Sequence, residues 1–260
     1  MFACLYRVAF ITWILNIFQT AHGETAAIGV YIDAGSRCET EKNNGASHFL
    51  TKLAFKGTKS RSQSQLEKEI ANIGGQLTAH ATREHTVYTA KVFKDHVPKA
   101  MEIISDILLN PTLDPAEISS ERDVISQENE NIRKHPGTAI WDHLHETAFM
   151  GTGLSHSVRG PEQNIRGLNR DDLLTFKSSQ FSADRFVIAA AGAVNHTDLV
   201  ALTEKHFGGV PKLPAGSLVV PHDAAIFTGS DKRIRFDSMG VSLISMANMH
   251  DLSQFTCPHW

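Results

Sequence analysis

One stretch of the sequence decides the fold: Asn43-Asn44-Gly45-Ala46-Ser47-His48-Phe49-Leu50-Thr51-Lys52-Leu53-Ala54-Phe55-Lys56-Gly57-Thr58-Lys59. Apolar residues recur within it at helical spacing, and Gly57 is a typical stop signal, so the pattern predicts a helix over residues 44–55. His48 and Lys52 are four residues apart and therefore share one face of that helix. Their side chains form a candidate functional site.

A second helix, predicted to begin at Asp114-Pro115, carries an unusual face. Proline is favoured in the first turn of a helix. The inward stripe then follows at spacings of three and four residues: Ile118, Glu121, Ile125, Glu128 and Ile132. Burying an unpaired carboxylate is costly or forces its protonation. A cation must therefore face Glu121 and Glu128.

The remaining pattern predicts an α+β fold, with a mixed, mostly antiparallel sheet and helices packed on one face. Strands are predicted over residues 29–33, 76–81, 85–93 and 186–191. A helix is predicted to begin at Ser62, where Gln65 completes a capping box, and another is predicted to follow a cap at Asp95. Further helices are predicted over residues 138–149, over 170–180 after a cap at Asn169, and over 197–207. Residues 211–221 are rich in proline and predict a linker.

Composition and the chain ends set further limits. The 260 residues carry a net charge of −3 and are 42% hydrophobic, which gives no reason to expect binding to nucleic acid. Three Cys without a C-x-x-C pattern favour a reducing compartment over a disulfide framework. Residues 1–23 have the pattern of a secretory signal peptide, with an apolar run over 8–18 and a small-residue site at Ala21-His22-Gly23.

Several segments together resemble the pitrilysin-type (M16) metallopeptidase family. Within that family the resemblance is closest to the β subunit of mitochondrial processing peptidase and the first core protein of ubiquinol–cytochrome c reductase. The segments cover roughly residues 26–235 and comprise the stretch 43–59, Asp33-Ala34-Gly35-Ser36-Arg37, Thr82-Arg83-Glu84-His85-Thr86, Glu121-Arg122-Asp123-Val124-Ile125, Ala189-Ala190-Ala191-Gly192 and His206-Phe207-Gly208-Gly209-Val210-Pro211. The resemblance also implies a strand near residues 226–235.

The resemblance implies a zinc site of the form H-x-x-E-H, with a third ligand from a Glu on a later helix. His48 matches the first His, Glu128 matches the distant Glu, and Glu121 matches a supporting residue. Thr51 stands in place of the general-base Glu, and Lys52 stands in place of the second His. An ammonium has no lone pair for a metal, so the expected ligands His48 and Glu128 are a vestige and no catalytic residue is expected. Because the resemblance brings positions 52 and 128 to one site, we expect the Lys52 ammonium to take the place of the metal and to form an ion pair with Glu128.

These observations predict a single M16-type lobe and a non-catalytic structural or assembly subunit. The expected boundaries are a leader over 1–23, the M16 N-terminal region over 24–168, the following region of the same lobe over 169–235 and an atypical tail over 236–260; the second lobe of the family is missing. No cofactor is expected. The expected partner is another M16-type subunit, of the processing-peptidase α or second-core-protein kind, in the mitochondrion.

The alternative is an active zinc endopeptidase that cleaves mitochondrial presequences, which requires zinc and replacement ligands such as His80 or His85. A secreted protein is the alternative for the compartment, if residues 1–23 act as a signal peptide.

Overall fold

A six-stranded, mostly antiparallel sheet lies at the centre of the computed structural model, which describes residues 6–11, 14–20, 23–212, 225–235 and 242–247. In spatial order the strands are β1 (Tyr6–Ile11), β2 (Ile14–Thr20), β6 (Phe186–Gly192), β3 (Thr25–Ile32), β5 (Thr86–Phe93) and β4 (Gln76–Ala81). Among the described strands, only β2 and β6 run parallel to each other. The predicted α+β architecture is confirmed.

The described part of the chain contains eight α-helices. They are α1 (Ala46–Leu53), α2 (Gln63–Asn72), α3 (Val97–Leu109), α4 (Pro115–Arg133), α5 (Pro136–Ala148), α6 (Glu162–Gly167), α7 (Arg170–Gln180) and α8 (His196–Phe207). No helix among the described residues is long and apolar enough to cross a lipid bilayer.

The alternation of strand β3 shows why the helices gather on one side of the sheet. Ile28, Val30 and Ile32 are fully buried, whereas Tyr31 on the opposite face is 40% exposed. Side chains of a strand point alternately to its two faces, so this pattern requires a packed face and a solvated face. Phe49 of α1 and Met101 of α3 are fully buried in the same core.

Two local predictions were wrong. Helix α3 begins at Val97, because a short 3-10 turn over Lys94–His96 precedes it. Asp95 lies inside that turn and does not cap the helix. Residues 225–235 form no strand. Strand β6 is already paired on both edges, by β2 and β3, and the segment instead lies along α5, where Thr228 donates its backbone N–H to the Ala148 carbonyl at 2.8 Å.

The predicted leader contributes backbone to the sheet. Strands β1 and β2 pair with each other, and β2 continues the sheet beyond β6. Cleavage of residues 1–23 stays a prediction, and the proposed cleavage site lies partly outside the described residues. The predicted linker and the tail over 236–260 also lie mostly outside them.

Candidate functional site

A buried carboxylate, Glu39, anchors the N-terminus of helix α1. Its oxygens accept hydrogen bonds from the backbone N–H groups of Gly45 at 2.7 Å and Ser47 at 2.6 Å, and from the Asn44 side-chain amide at 2.8 Å. The first N–H groups of a helix have no partner within it, and a negative charge at this end is favoured. Burial raises the pKa of the Glu39 carboxyl, against the lowering effect of these hydrogen bonds. Glu39 thus fixes where α1 begins.

The loop before α6 fixes the same end of α1 from the other side. Gly160 has a φ of 77°, and a Cβ atom there would lie 2.2 Å from the Asn44 carbonyl oxygen, so only glycine fits. The Asn44 side chain donates to the Ser157 carbonyl at 2.8 Å, and Asn129 of α4 donates to the Gly160 carbonyl at 3.2 Å. Helix α1, helix α4 and this loop are therefore held in one arrangement.

His48 and Lys52 of α1 both approach Glu128 of α4. The Lys52 Nζ donates to Glu128 Oε1 at 2.5 Å, and His48 Nε2 lies 3.6 Å from Glu128 Oε2. The predicted ion pair is present. The Lys52 and Glu128 side chains are 30% and 35% exposed, so solvent screens the pair in part.

The imidazole of His48 is uncharged at neutral pH. Burial lowers its pKa to about 4, and the nearby cations Lys52 and Arg159 act in the same direction, while Glu128 opposes them. Among the described residues the buried Nε2 atom of His48 has no hydrogen-bond partner, because the Glu128 carboxylate stands too far away. The ring nitrogen that faces the carboxylate is thus left unsatisfied.

Thr51 is buried beside this pair and makes a local contact. Its hydroxyl donates to the His48 carbonyl at 2.7 Å within helix α1. A general base must accept a proton near the operating pH, and an aliphatic hydroxyl does not. Thr51 is therefore a buried, locally bonded residue, and its hydroxyl is not a general base.

Glu121 of α4 is paired with Lys56, which lies just beyond the C-terminal end of α1. Glu121 is buried, and the Lys56 Nζ lies 2.8 Å from its Oε1 and 3.8 Å from Oε2 of Glu117. The hydrogen bond to Glu121 raises the pKa of Lys56, so this ammonium stays charged. The sequence analysis did not assign Lys56 as the partner of Glu121, although its spacing of four residues from Lys52 was a usable signal. Arg159, which acts on His48, gave no such signal.

The other histidines considered do not complete the site. His80 is exposed on β4, and His85 lies beside Asp33, with 3.9 Å between Nδ1 and Oδ1. Within the described ranges, no three His, Cys, Asp or Glu side chains are grouped so that they could hold a metal ion.

The donors at this site do not fit a catalytic zinc ion. Such an ion takes three protein ligands and a water. His48 and Glu128 offer an imidazole and a carboxylate, but the third side chain, Lys52, is an ammonium with three donors and no acceptor. It also holds one of the two Glu128 oxygens. These side chains hold an ion pair in place.

The sequence is similar to proteins of one peptidase family. Residues 17–162 match the profile of the insulinase family, peptidase family M16, and residues 167–246 match that of the peptidase M16 inactive domain. The chain is 46% identical to the mitochondrial-processing peptidase subunit beta of Blastocladiella emersonii, over 91% of this chain and 50% of that protein. It is 45% identical to the mitochondrial cytochrome b-c1 complex subunit 1 of Homo sapiens, over 86% of this chain and 46% of that protein.

A solved structure shares the fold. The chain superimposes on a protease from Helicobacter pylori with a TM-score of 0.79 at 20% identity, over 86% of this chain and 55% of that one. The chain spans about half the length of the curated relatives that it matches.

Proposed function

Because the chain belongs to the M16 peptidase family, we propose that it is a non-catalytic subunit with a structural or assembly role, similar to processing-peptidase β subunits and to cytochrome b-c1 subunit 1. The observation that carries the proposal is the ion pair between Lys52 and Glu128. A cation supplied by the chain itself stands beside the carboxylate that would otherwise bind the metal.

The chemistry of the neighbouring residues supports this proposal. Metal-assisted hydrolysis needs a bound ion that lowers the pKa of a water and a base that takes its proton. His48 alone is one imidazole, Lys52 cannot ligate, and the Thr51 hydroxyl is bonded to the His48 carbonyl. Neither requirement is met by these side chains.

The proposed partner is another M16-type subunit, of the processing-peptidase α or second-core-protein kind. The relatives are named as subunits, of a mitochondrial-processing peptidase and of the cytochrome b-c1 complex. The same names support a mitochondrial location, in the matrix or at the inner membrane; a secreted protein is the alternative.

An active zinc endopeptidase that cleaves presequences is the second candidate. It is favoured by the identity to proteins named as peptidase subunits and by the survival of His48 and Glu128 close to each other. It would need a third ligand and a base that the described residues do not group there.

A cleavage and association assay tests the proposal. The full chain is incubated with a mitochondrial presequence peptide, alone, with a purified processing-peptidase α subunit and with a purified second core protein, and the metal content of each sample is measured. We expect co-purification with the partner, no cleavage and no bound zinc. Cleavage that a chelator abolishes would establish the second candidate instead, and failure to associate with either kind of M16 partner would contradict the subunit role.

A further inference from the structure

The Glu128 carboxylate has a cation at one oxygen and an imidazole near the other. Lys52 Nζ stands 2.5 Å from Oε1, and His48 Nε2 stands 3.6 Å from Oε2. The two α1 side chains are four residues apart, which is the spacing at which two ligands on one helix face can reach a single ion. The buried Nε2 atom of His48 lacks a hydrogen-bond partner among the described residues, so one potential ligand is in place and unused.

The framework around these groups is held by contacts that do not involve Lys52. Glu39 binds the first turn of α1, Asn129 ties α4 to Gly160, and Lys56 pairs with Glu121 at 2.8 Å. The α4 residue Ile125, one turn from Glu128, is fully buried in the core. The relative position of α1 and α4 therefore survives a change at position 52.

Of the three side chains that meet here, Lys52 is the one that cannot bind zinc. We propose that Lys52 is a built-in cation that replaces a metal ion at an otherwise preserved centre, so that the single substitution Lys52→His converts the ion pair into a zinc site. The inference rests on the proposed function, in which the natural chain binds no zinc. An imidazole at position 52 supplies the third ligand beside His48 and Glu128 and removes the charge that repels a metal. The substitution also removes the cation that pairs with Glu128. A bound zinc ion would then neutralise that carboxylate.

Zinc binding by the full-length Lys52→His variant tests this. After dialysis against zinc and removal of free metal, we expect about one zinc per chain in the variant and none in the natural chain, measured by elemental analysis. At a hundredfold excess of zinc over its Kd, we expect the Tm of the variant to rise by about 5–10 °C, and a chelator to reverse the rise. The Tm of the natural chain should respond to neither reagent.

Two control variants isolate the ligands. Lys52→Gln removes the same ammonium without adding an imidazole, so it should bind no zinc. His48→Ala added to Lys52→His removes one ligand and should abolish binding. If Lys52→His unfolds without metal, zinc-dependent refolding, followed by circular dichroism, supports the inference.

Other results would contradict either this inference or the proposed function. A Lys52→His variant that neither binds zinc nor refolds with it overturns the inference, and so does binding that persists when His48 is removed. One zinc per chain in the natural protein would instead overturn the proposed function, before any variant is made.

Discussion

At the scale of single residues, the identity of one side chain decides what the site can do. Lys52 reaches the Glu128 carboxylate from this helix face. Its ammonium donates hydrogen bonds, whereas a neutral imidazole in the same position would offer a lone pair. The Lys52–Glu128 pair keeps the carboxylate satisfied. Removing one partner of a partly buried pair leaves the other uncompensated, while removing both does not.

The first prediction measures this coupling. In a double-mutant cycle of Lys52→Gln and Glu128→Gln, we expect each single change to lower the free energy of unfolding by about 1 kcal/mol, because the pair is about one-third exposed. The double variant should be destabilised by less than the sum. Urea denaturation gives the four values, and additive effects would show that the two charges do not interact.

The second prediction concerns Glu39. The change Glu39→Gln keeps the shape but places an amide NH₂ where both oxygens accept hydrogen bonds from N–H donors. Because those donors are buried, we expect a loss of about 2–3 kcal/mol in the free energy of unfolding. Glu41→Gln, two residues away at an exposed position, is the matched control and should change the stability little. Equal effects of the two changes would contradict the anchoring role of Glu39.

At the scale of helices and strands, signals between residues close in sequence predicted the helix caps well, whereas contacts made by loop residues left no signal in the sequence. The capping box of Ser62 with Gln65 and the Asn169 cap are present, because both depend on residues three positions apart. Asp95 failed as a cap because a 3-10 turn intervened. Glu39 and Arg159 act on helix α1 from loops, and no pattern along the chain reports such a contact.

A charged cluster joins helices α2 and α3. Arg61, which precedes α2, binds Asp106 at 2.6 Å and Glu69 at 3.0 Å, and Lys99 binds Glu69 at 2.9 Å. The hydrogen bond from Lys99 lowers the pKa of Glu69. Burial alone would raise the pKa of Asp106, but hydrogen bonds from Ser60 and its other partners lower it. A carboxyl group with a lowered pKa stabilises the fold above its unfolded-state pKa, and this contribution is lost as the pH falls through the folded-state pKa.

The third prediction follows from that sign. The stability of the natural chain should fall as the pH drops below about 4.5, the ordinary pKa of Glu69. Arg61→Met should lower the free energy of unfolding by about 1–2 kcal/mol at pH 7 and by progressively less in acid, because the carboxylates that Arg61 binds become protonated. Urea denaturation between pH 7 and pH 3 measures the difference. The exposed pair of Arg166 with Glu162 provides the control Arg166→Met, for which we expect a change below about 0.5 kcal/mol. A constant difference across the pH range would contradict the prediction for Arg61.

At the scale of the whole molecule, the sheet depends on which residues the mature chain keeps. The local pattern of residues 1–23 predicts a leader, yet the backbone of residues 6–11 and 14–20 forms β1 and β2, and β2 covers the edge of β6. Local hydrophobicity cannot distinguish a strand from a leader, because an apolar strand and a signal peptide are both short apolar runs. Only the pairing partner, more than 160 residues away, distinguishes them.

The fourth prediction is therefore that a chain lacking residues 1–23 is less stable and self-associates. Removing residues 1–23 takes away β1 and β2 and leaves β6 as an edge strand with an apolar sequence. Exposed edge strands of this kind pair with other molecules. Urea denaturation should show a lower midpoint, and size-exclusion chromatography with light scattering should show oligomers. Ala191 is exposed on β6, so Ala191→Lys should reduce the self-association of the shortened chain. The same substitution should leave the urea midpoint and the oligomeric state of the full chain unchanged. A shortened chain that stays monomeric and unfolds at the same urea concentration would instead favour cleavage of residues 1–23 as a leader.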